Sequence, residues 1–275
     1  MRISELVKEL ECIGVEDPKT EAQLIIEHLF GVSYAKALLE RDRDYDSEKI
    51  LEILAKRKEK IPLQYIFGKW GFMGLDFFVS PDCLIPRPDT EILVYEAQGL
   101  LKIGGSVADL CTGSGCIGLS LLSTRADIER LVMADISRDA LEMARKNAHA
   151  LGLSSKCTLV ECDVTRSIPE GRFDMIVSNP PYIPSIDIER LSDEVKNEPR
   201  LALDGGEDGL DIVRSLVERV PEHLNENGYF LMEFGFDQGE KIAQIMEKKV
   251  TDGVYKSYKI LKDYGGNDRV LVAQA

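Results

Sequence analysis

"VADLCTGSGCIGLSLL", residues 107–122, runs from an apolar strand through a glycine-rich turn into a helix. Gly113 and Gly115 let the backbone come close to a ligand, and the helix that starts behind them presents N–H groups with no intrahelical partner. The next apolar run, "LVMAD", ends at Asp135, 22 residues beyond Gly113. A carboxylate there can accept both hydroxyls of a ribose, because ligands of open α/β sheets lie outside the carboxyl ends of the strands. "GSGCIG" with an acid about 20 residues on satisfies the dinucleotide fingerprint, so an NAD-dependent dehydrogenase is a fair reading of this stretch alone.

Two further strand ends shift that reading. "VECDV" places Asp163 beside the end of the second strand, where its carboxylate can accept from the exocyclic amine of adenine while the Val164 N–H meets a ring nitrogen. "FDMIVSNPPYIP", residues 173–184, ends a fourth strand in Asn179, Pro180, Pro181 and Tyr182. A dehydrogenase also needs a proton relay, yet His28, His149 and His223 fall in helical or loop contexts away from strand ends. An acid at a strand end is often only a cap for the following helix. Three successive strands ending in such groups, the first with a glycine turn, point to a nucleoside-containing cofactor.

The Asn-Pro-Pro-Tyr segment is stiff, because a residue before proline is held extended and both prolines have fixed φ and no N–H. It aims two acceptors, the Asn179 side-chain oxygen and the Pro180 carbonyl, at one point with no backbone donor of Pro180 or Pro181 to compete. A planar –NH2 group offers two hydrogens to that point, and Tyr182 can lie flat against it. An amide nitrogen is a poor nucleophile. Two acceptors orient it and support positive charge as a bond forms, and with a sulfonium electrophile no metal or strong base is required. Asn in place of Asp adds no second full charge beside Asp163.

Outward from these motifs, strands are expected near 106–111, 131–135, 157–162, 173–178, 228–234, 257–263 and 268–274, with helices between the earlier ones and one from about Thr90 to Leu101. Such alternation predicts a mostly parallel sheet covered on both faces, an α/β, Rossmann-like domain of seven strands. Only "GGN" separates the last two strands, so they pair antiparallel. The first sixty residues carry apolar stripes at helical spacing (Ile3, Leu6, Val7, Leu10; Ala22, Ile25, Ile26, Leu29; Ile50, Ile53, Leu54), with Pro18 at a helix start, Gly14 and Gly31 at helix ends and Ser47 as a cap. From Pro62 aromatics and glycines take over, with a hairpin around Met73 to Leu75. The expected organisation is a helical bundle over 1–68, a β-hairpin joint over 69–85 and a catalytic domain over 86–275.

Net charge is −14, of which residues 1–75 hold −2 and the remainder −12. An acidic catalytic half repels phosphate backbones, and "KRKEK" (56–60) reads as a solvated helix end. Six cysteines include two C-x4-C pairs, Cys111/Cys116 and Cys157/Cys162, but no C-x-x-C and no nearby histidine; small buried residues in a cytosolic chain are the better account, with no metal. "MRISELVKELE" interleaves charge with apolar residues, unlike a signal peptide. The protein is expected to be cytoplasmic, monomeric and without a membrane or nucleic-acid partner.

With these residues in hand the chain resembles the S-adenosylmethionine-dependent methyltransferases, and closely the peptide chain release factor glutamine N5-methyltransferases. The likeness spans nearly the whole chain: "PLQYIFG", "FVSPDCLIPRPDTEILV", "DLCTGSGCIGLSL", "VSNPPYIP", "EPRLALDGGEDGLDIVR" and "DYGGNDRVL". It implies methylation of the glutamine amide in the release factors' Gly-Gly-Gln loop, with S-adenosyl-L-homocysteine as co-product and the helical bundle as the release-factor-binding domain. It also implies that Thr112, Gly113, Ser114 and Gly115, opened by Cys111, line the methionine part of the cofactor. Asp135 would take its ribose, and Asp163 with Val164 its adenine. Asn179 and Pro180 would hold the glutamine amide, Tyr182 would wall it, Pro181 and Arg87 would also bind the substrate, Asn179 and Thr90 would also touch the cofactor, and Arg87 and Thr90 would shape the near side. Cys111 stands where the family's loop often begins with glycine, adding only a small side chain. Two rivals remain: an adenine N6-methyltransferase, whose substrate amine is also planar but must be flipped out of a helix, and a non-catalytic module that binds release factors.

Overall fold

The computed structural model describes residues 1–40 and 42–275. One unit, Met1–Gly68 with the later stretch Asp193–Asn197, is helical. It comprises α1 (Ile3–Ile13), α2 (Pro18–Phe30), α3 (Tyr34–Leu39), α4 (Ser47–Lys58) and α5 (Leu63–Phe67). Leu6 and Leu10, Ala22 and Ile26, and Ile50 and Leu54 lie four residues apart on their helices and meet in one buried cluster. Gly14 and Gly31 close α1 and α2 in the left-handed conformation, and Pro18 begins α2. The cap of α4 is Asp46, whose carboxylate accepts from the Glu48 N–H at 3.0 Å. Ser47 is therefore the first helical residue and not the cap, because an acceptor one residue earlier already reaches the free donor.

Arg57 is buried in this unit. Its guanidinium donates to Glu21 at 2.5 and 3.0 Å, to the Ile61 carbonyl at 2.6 Å and to Glu194 at 2.6 Å. Glu194 is how Asp193–Asn197, far along the chain, becomes part of the helical unit. Because Glu21 and Glu194 both pair with it, this buried cation keeps one carboxylate if the other is removed.

The second unit, Lys69–Ser192 with Glu198–Ala275, opens with an antiparallel hairpin, β1 (Lys69–Phe72) and β2 (Leu75–Phe78). Met73 and Gly74 at its tip both have positive φ, +52° and +74°, as a tight two-residue hairpin turn requires. The chain continues through α6 (Glu91–Leu100), β3 (Ser106–Leu110), α7 (Cys116–Thr124), β4 (Arg130–Asp135), α8 (Arg138–Ala150), β5 (Cys157–Glu161) and β6 (Phe173–Ser178). After these come α9 (Asp193–Lys196), α10 (Asp211–Arg219), β7 (Leu224–Glu233), α11 (Gly239–Thr251), β8 (Ser257–Lys262) and β9 (Asp268–Gln274).

The sheet has seven strands in the order β5-β4-β3-β6-β7-β9-β8. β5, β4, β3, β6 and β7 pair parallel, while β9 is antiparallel to both β7 and β8. Side chains alternate between the faces with the strand period of two. Ala108, Leu110, Ile176, Phe230 and Met232 pack with Val213, Leu216 and Val217 of α10 and Ile242 and Met246 of α11. Val107, Met175, Val177 and Leu231 pack on the opposite face with α6, α7, α8 and the hairpin's Phe72 and Phe77. The alternation in the sequence finds all seven strands. It misses where β7 begins: Asn227, at φ +62°, and a register shift between Phe173 and Met175 let the strand start at Leu224 rather than 228.

β3-α7-β4-α8-β5 winds to one side of β3, and β6 returns to the other. The gap between the carboxyl ends of β3 and β6 is the topological switch point, where open α/β sheets take ligands. Ser178 Oγ donates to the Leu110 carbonyl at 2.8 Å and ties these two strand ends together.

Candidate functional site

A cavity of about 350 Å³ opens at that switch point, within the range of small-molecule sites. Its floor is the turn after β3. Thr112 N–H donates to the Ala134 carbonyl at 3.0 Å, and Thr112 Oγ1 donates to Asp109 Oδ2 at 2.6 Å. The same Asp109 oxygen accepts from the Gly118 N–H at 3.0 Å, so one buried carboxylate braces both the turn and the start of α7. Burial pushes the Asp109 carboxyl up to about 7. Gly113 has φ +55° and open space where a Cβ would stand. Asp135 Oδ2 accepts from the Gly113 N–H and Oδ1 from the Ser137 N–H, both at 2.9 Å. Each oxygen keeps lone-pair capacity for a ligand hydroxyl, and burial raises the pKa of this carboxyl.

Across the cavity, Asn179 Nδ2 donates to Thr90 Oγ1 at 3.3 Å. Among the described residues no donor takes Asn179 Oδ1 or the Pro180 carbonyl. The segment is clamped by the "LDGGEDGL" loop, residues 203–210. Ile183 N–H donates to the Leu203 carbonyl at 3.0 Å, Gly205 N–H to the Ile183 carbonyl at 2.8 Å, and Gln238 Nε2 to the Tyr182 carbonyl at 2.9 Å. A Cβ at Gly205 would stand 2.7 Å from Tyr182 Cα, and one at Gly209 2.3 Å from the Tyr182 carbonyl. Both glycines are demanded by backbone lying on backbone. A glycine turn that brings bare backbone to the cavity, its Thr112, Gly113 and Gly115 N–H groups already bonded within the protein, thus lies opposite a proline turn with open acceptors.

Comparison with known proteins gives the family. The Methyltransferase small domain family matches residues 88–253, and the PrmC N-terminal domain family matches residues 3–68. The chain is 40% identical to the release factor glutamine methyltransferase of Rhodospirillum rubrum, over 96% of this chain and 81% of that one. It is 39% identical to the release factor glutamine methyltransferase of Geobacter sulfurreducens, over 94% and 90%. The chain belongs to the release factor glutamine methyltransferase family. A methyltransferase from Pyrococcus furiosus superposes with a TM-score of 0.55 at 20% identity, over 80% of this chain and 98% of that one, a likeness of fold.

Most residues singled out from the sequence line the cavity of this family member: Cys111, Thr112, Gly113, Ser114, Asp135, Asp163, Val164, Asn179 and Pro181, with Arg87 and Thr90 on the near side. Three do not. Gly115 is turned into protein: a Cβ there would meet Leu119 Cδ1 at 3.0 Å and Ala144 and Met133 at 3.3 Å, so it serves helix packing rather than ligand contact. Pro180 is buried and does not line the cavity, although both of its chain neighbours, Asn179 and Pro181, do. Tyr182 does not line the cavity; its hydroxyl donates to Glu233 Oε1 at 3.1 Å, and burial raises its pKa.

Asp163 is also more committed than its position at a strand end suggests. Oδ1 accepts from both the N–H (3.0 Å) and hydroxyl (2.6 Å) of Thr165, and Oδ2 pairs with Arg166 at 3.1 Å. The Thr165 bonds, foremost, hold this carboxyl below the usual range. The Val164 N–H has no partner among the described residues. Cys111 carries a backbone consequence as well as a small side chain: its φ is +56°, a conformation that costs a residue with a Cβ about 1–2 kcal/mol.

Two site residues escape the sequence motifs. Glu198, buried, accepts from Arg87 and from the Ile85 N–H at 3.1 Å, fixing the near wall. Glu233, also buried, accepts from Thr90 Oγ1 at 2.6 Å as well as from Tyr182. Each had a signal: an acid beside Pro199 in the "EPRLAL" stretch, and an acid inside the apolar run "YFLMEF".

Proposed function

We propose that the protein transfers the methyl group of S-adenosyl-L-methionine to the side-chain amide nitrogen of the glutamine in the Gly-Gly-Gln motif of peptide chain release factors. One observation carries the reading: Asn179 Oδ1, on a clamped backbone at a cavity whose other wall suits a nucleoside, and the carbonyl of the adjoining Pro180 have no donor among the described residues. Membership of the release factor glutamine methyltransferase family supports the substrate. The residues present fit the cofactor: Gly113 leaves open space, Asp135 keeps acceptor capacity for ribose hydroxyls, and the Val164 N–H is free for a ring nitrogen. Bound, S-adenosyl-L-methionine supplies a methyl group already activated by a sulfonium charge.

The chain's own part is to orient and polarise. Asn179 Oδ1 and the Pro180 carbonyl each accept one amide N–H, which turns the nitrogen lone pair toward the cofactor side and stabilises the positive charge it acquires. No residue there needs to abstract a proton first. Asn179, being neutral, leaves the negative charge of the site with Asp135 and Asp163. We assign docking of the release factor to residues 1–68, the hairpin joint to residues 69–85 and the chemistry to residues 86–275. We further assign the activity to the cytoplasm; among the described residues no helix is long and apolar enough to cross a membrane.

The test is to incubate the protein with methyl-labelled cofactor and, in separate reactions, purified release factor, total RNA and duplex DNA. Label on the Gly-Gly-Gln glutamine is expected. Label in nucleic acid alone would favour the adenine-directed reading, and label nowhere would favour a binding module.

A further inference from the structure

We propose that Glu233 is a positioning residue that sets which end of the Asn179 amide faces the substrate. The inference rests on the amide-acceptor reading of Asn179 given above. The two ends of an asparagine amide have nearly the same shape and opposite hydrogen-bonding character. If Nδ2 faced the substrate –NH2, two donors would meet and the nitrogen would be repelled rather than held. The Asn-Pro-Pro-Tyr backbone does not choose between these orientations; its stiffness fixes the residue, not the flip of its side chain.

The choice comes from a relay of three hydrogen bonds. Glu233 Oε2 accepts from Thr90 Oγ1 at 2.6 Å, Thr90 Oγ1 accepts from Asn179 Nδ2 at 3.3 Å, and Glu233 Oε1 accepts from the Tyr182 hydroxyl at 3.1 Å. A hydroxyl has one proton, and a carboxylate can only accept. Glu233 therefore draws the Thr90 proton to itself and leaves Thr90 Oγ1 only lone pairs to show Asn179. Asn179 must answer with Nδ2, which leaves Oδ1 for the substrate. Because the other carboxylate oxygen holds Tyr182, both ends of the Asn-Pro-Pro-Tyr segment hang on one group.

Its surroundings suit that work. Glu233 and Thr90 are almost wholly buried, so water does not compete for the relay. Burial, foremost, raises the pKa of the Glu233 carboxyl and Asp89 adds to this; the hydrogen bonds from Thr90 and Tyr182 and the guanidinium of Arg269, itself bonded to Asp263 at 2.9 Å, act the other way and favour the ionised form that the relay uses. β6 and β7 are parallel neighbours with Ser178 opposite Met232, and this register brings Glu233 beside Asn179, 54 residues away in sequence.

Glu233→Gln keeps the size of the side chain and gives it a donor. Gln Nε2 can donate to Thr90, whose hydroxyl then turns its proton toward Asn179 and favours the flipped amide. Steady-state methylation of release factor, calorimetric cofactor binding and thermal unfolding should be measured for the wild type, Glu233→Gln, Thr90→Val, Thr90→Ser and the double variant Glu233→Gln/Thr90→Val. Glu233→Gln and Thr90→Val should each lower kcat by about 100-fold or more, the scale of losing one preorganised group, with KM and cofactor Kd within about threefold. The double variant should be no slower than the slower single, since both cut one relay. Thr90→Ser, which keeps the hydroxyl, should recover most of the kcat that Thr90→Val loses.

A kcat for Glu233→Gln within about threefold of wild type overturns the inference, as does a loss that falls equally on cofactor affinity. Multiplying losses in the double variant would also overturn it. Should Glu233→Gln fail to fold, Thr90→Val against Thr90→Ser decides alone, equal kcat for the two being the contrary result. A wild-type protein that labels no release factor would bring down the functional reading, and the inference with it; an active wild type with indifferent variants brings down the inference only.

Discussion

The turns after β3 and β6 flank one gap and are built by opposite means. After β3 the chain spends glycines, so backbone without a side chain comes close to whatever occupies the cavity, while the N–H groups of Thr112, Gly113 and Gly115 are bonded within the protein. After β6 it uses prolines, which delete N–H groups and leave carbonyl and amide oxygens. Each turn stands on a buried carboxylate, Asp109 under the first and Glu233 under the second, but the two are not equally satisfied. Asp109 Oδ1 has no hydrogen-bond partner among the described residues, whereas both oxygens of Glu233 are engaged. A turn that only has to hold a ligand tolerates an unpaired polar atom in its foundation. A turn that must orient a reacting group has its supporting polar atoms committed.

The largest expected effect breaks the acceptor side alone. Asn179→Ala should lower kcat by about a thousandfold or more, as loss of a preorganised polar group at a reacting atom does, and leave cofactor affinity near wild type. Turnover within about tenfold of wild type would show that the Asn179 oxygen is not what holds the substrate amide.

The next tests the foundation of the glycine side. Asp109 is protonated when folded up to about pH 7, whereas the unfolded carboxyl ionises near 3.8. Between those values the folded state binds more protons, so this group's contribution to stability falls as pH rises, by up to about 1.4 kcal/mol per unit, and levels off above 7. Asp109→Asn removes the titration. Denaturant unfolding from pH 4 to 8 should show the variant gaining on wild type across that window; parallel curves would count against a neutral Asp109.

The comparison also explains what the sequence could and could not show. Glycines and prolines declare themselves because their effects are local: Gly113 needs only its own φ, and Asn179 is restrained by the residue next to it. Strands are legible as short apolar runs alternating with helices, and Asp135 from its distance to the glycine turn. Glu233 and Glu198 act through register and long loops, so their partners lie 143 and 111 residues away, and no spacing rule covers that. Gly115 misled for the converse reason. It sits in the motif, yet its missing side chain makes room for Leu119, Ala144 and Met133, a packing need that a fingerprint does not distinguish from ligand approach.

Gly113→Ala and Gly115→Ala share the strain of a positive φ, about 1–2 kcal/mol. Only Gly115→Ala adds contacts tighter than ordinary packing, which raises its cost in folding stability to about 2–4 kcal/mol. Thermal unfolding should rank Gly115→Ala clearly below Gly113→Ala. Equal losses would mean that both glycines are there for conformation alone.

The smallest expected effect separates the two carboxylates of the cofactor wall. Asp135 uses each oxygen once for a backbone N–H, at Gly113 and Ser137. In Asp135→Asn one of those N–H groups would face an –NH2, so cofactor Kd should rise by roughly 10–100-fold, the worth of a charged hydrogen bond. Asp163 concentrates its bonds on one oxygen, which takes both donors of Thr165, and its other oxygen pairs with a largely exposed Arg166. Asn can reproduce the first oxygen and forfeits only the surface pair, worth at most about 1 kcal/mol. Asp163→Asn should therefore weaken cofactor binding by no more than about fivefold by calorimetry. A loss as large as that of Asp135→Asn would mean that the cofactor, and not Arg166, is the chief partner of the second Asp163 oxygen.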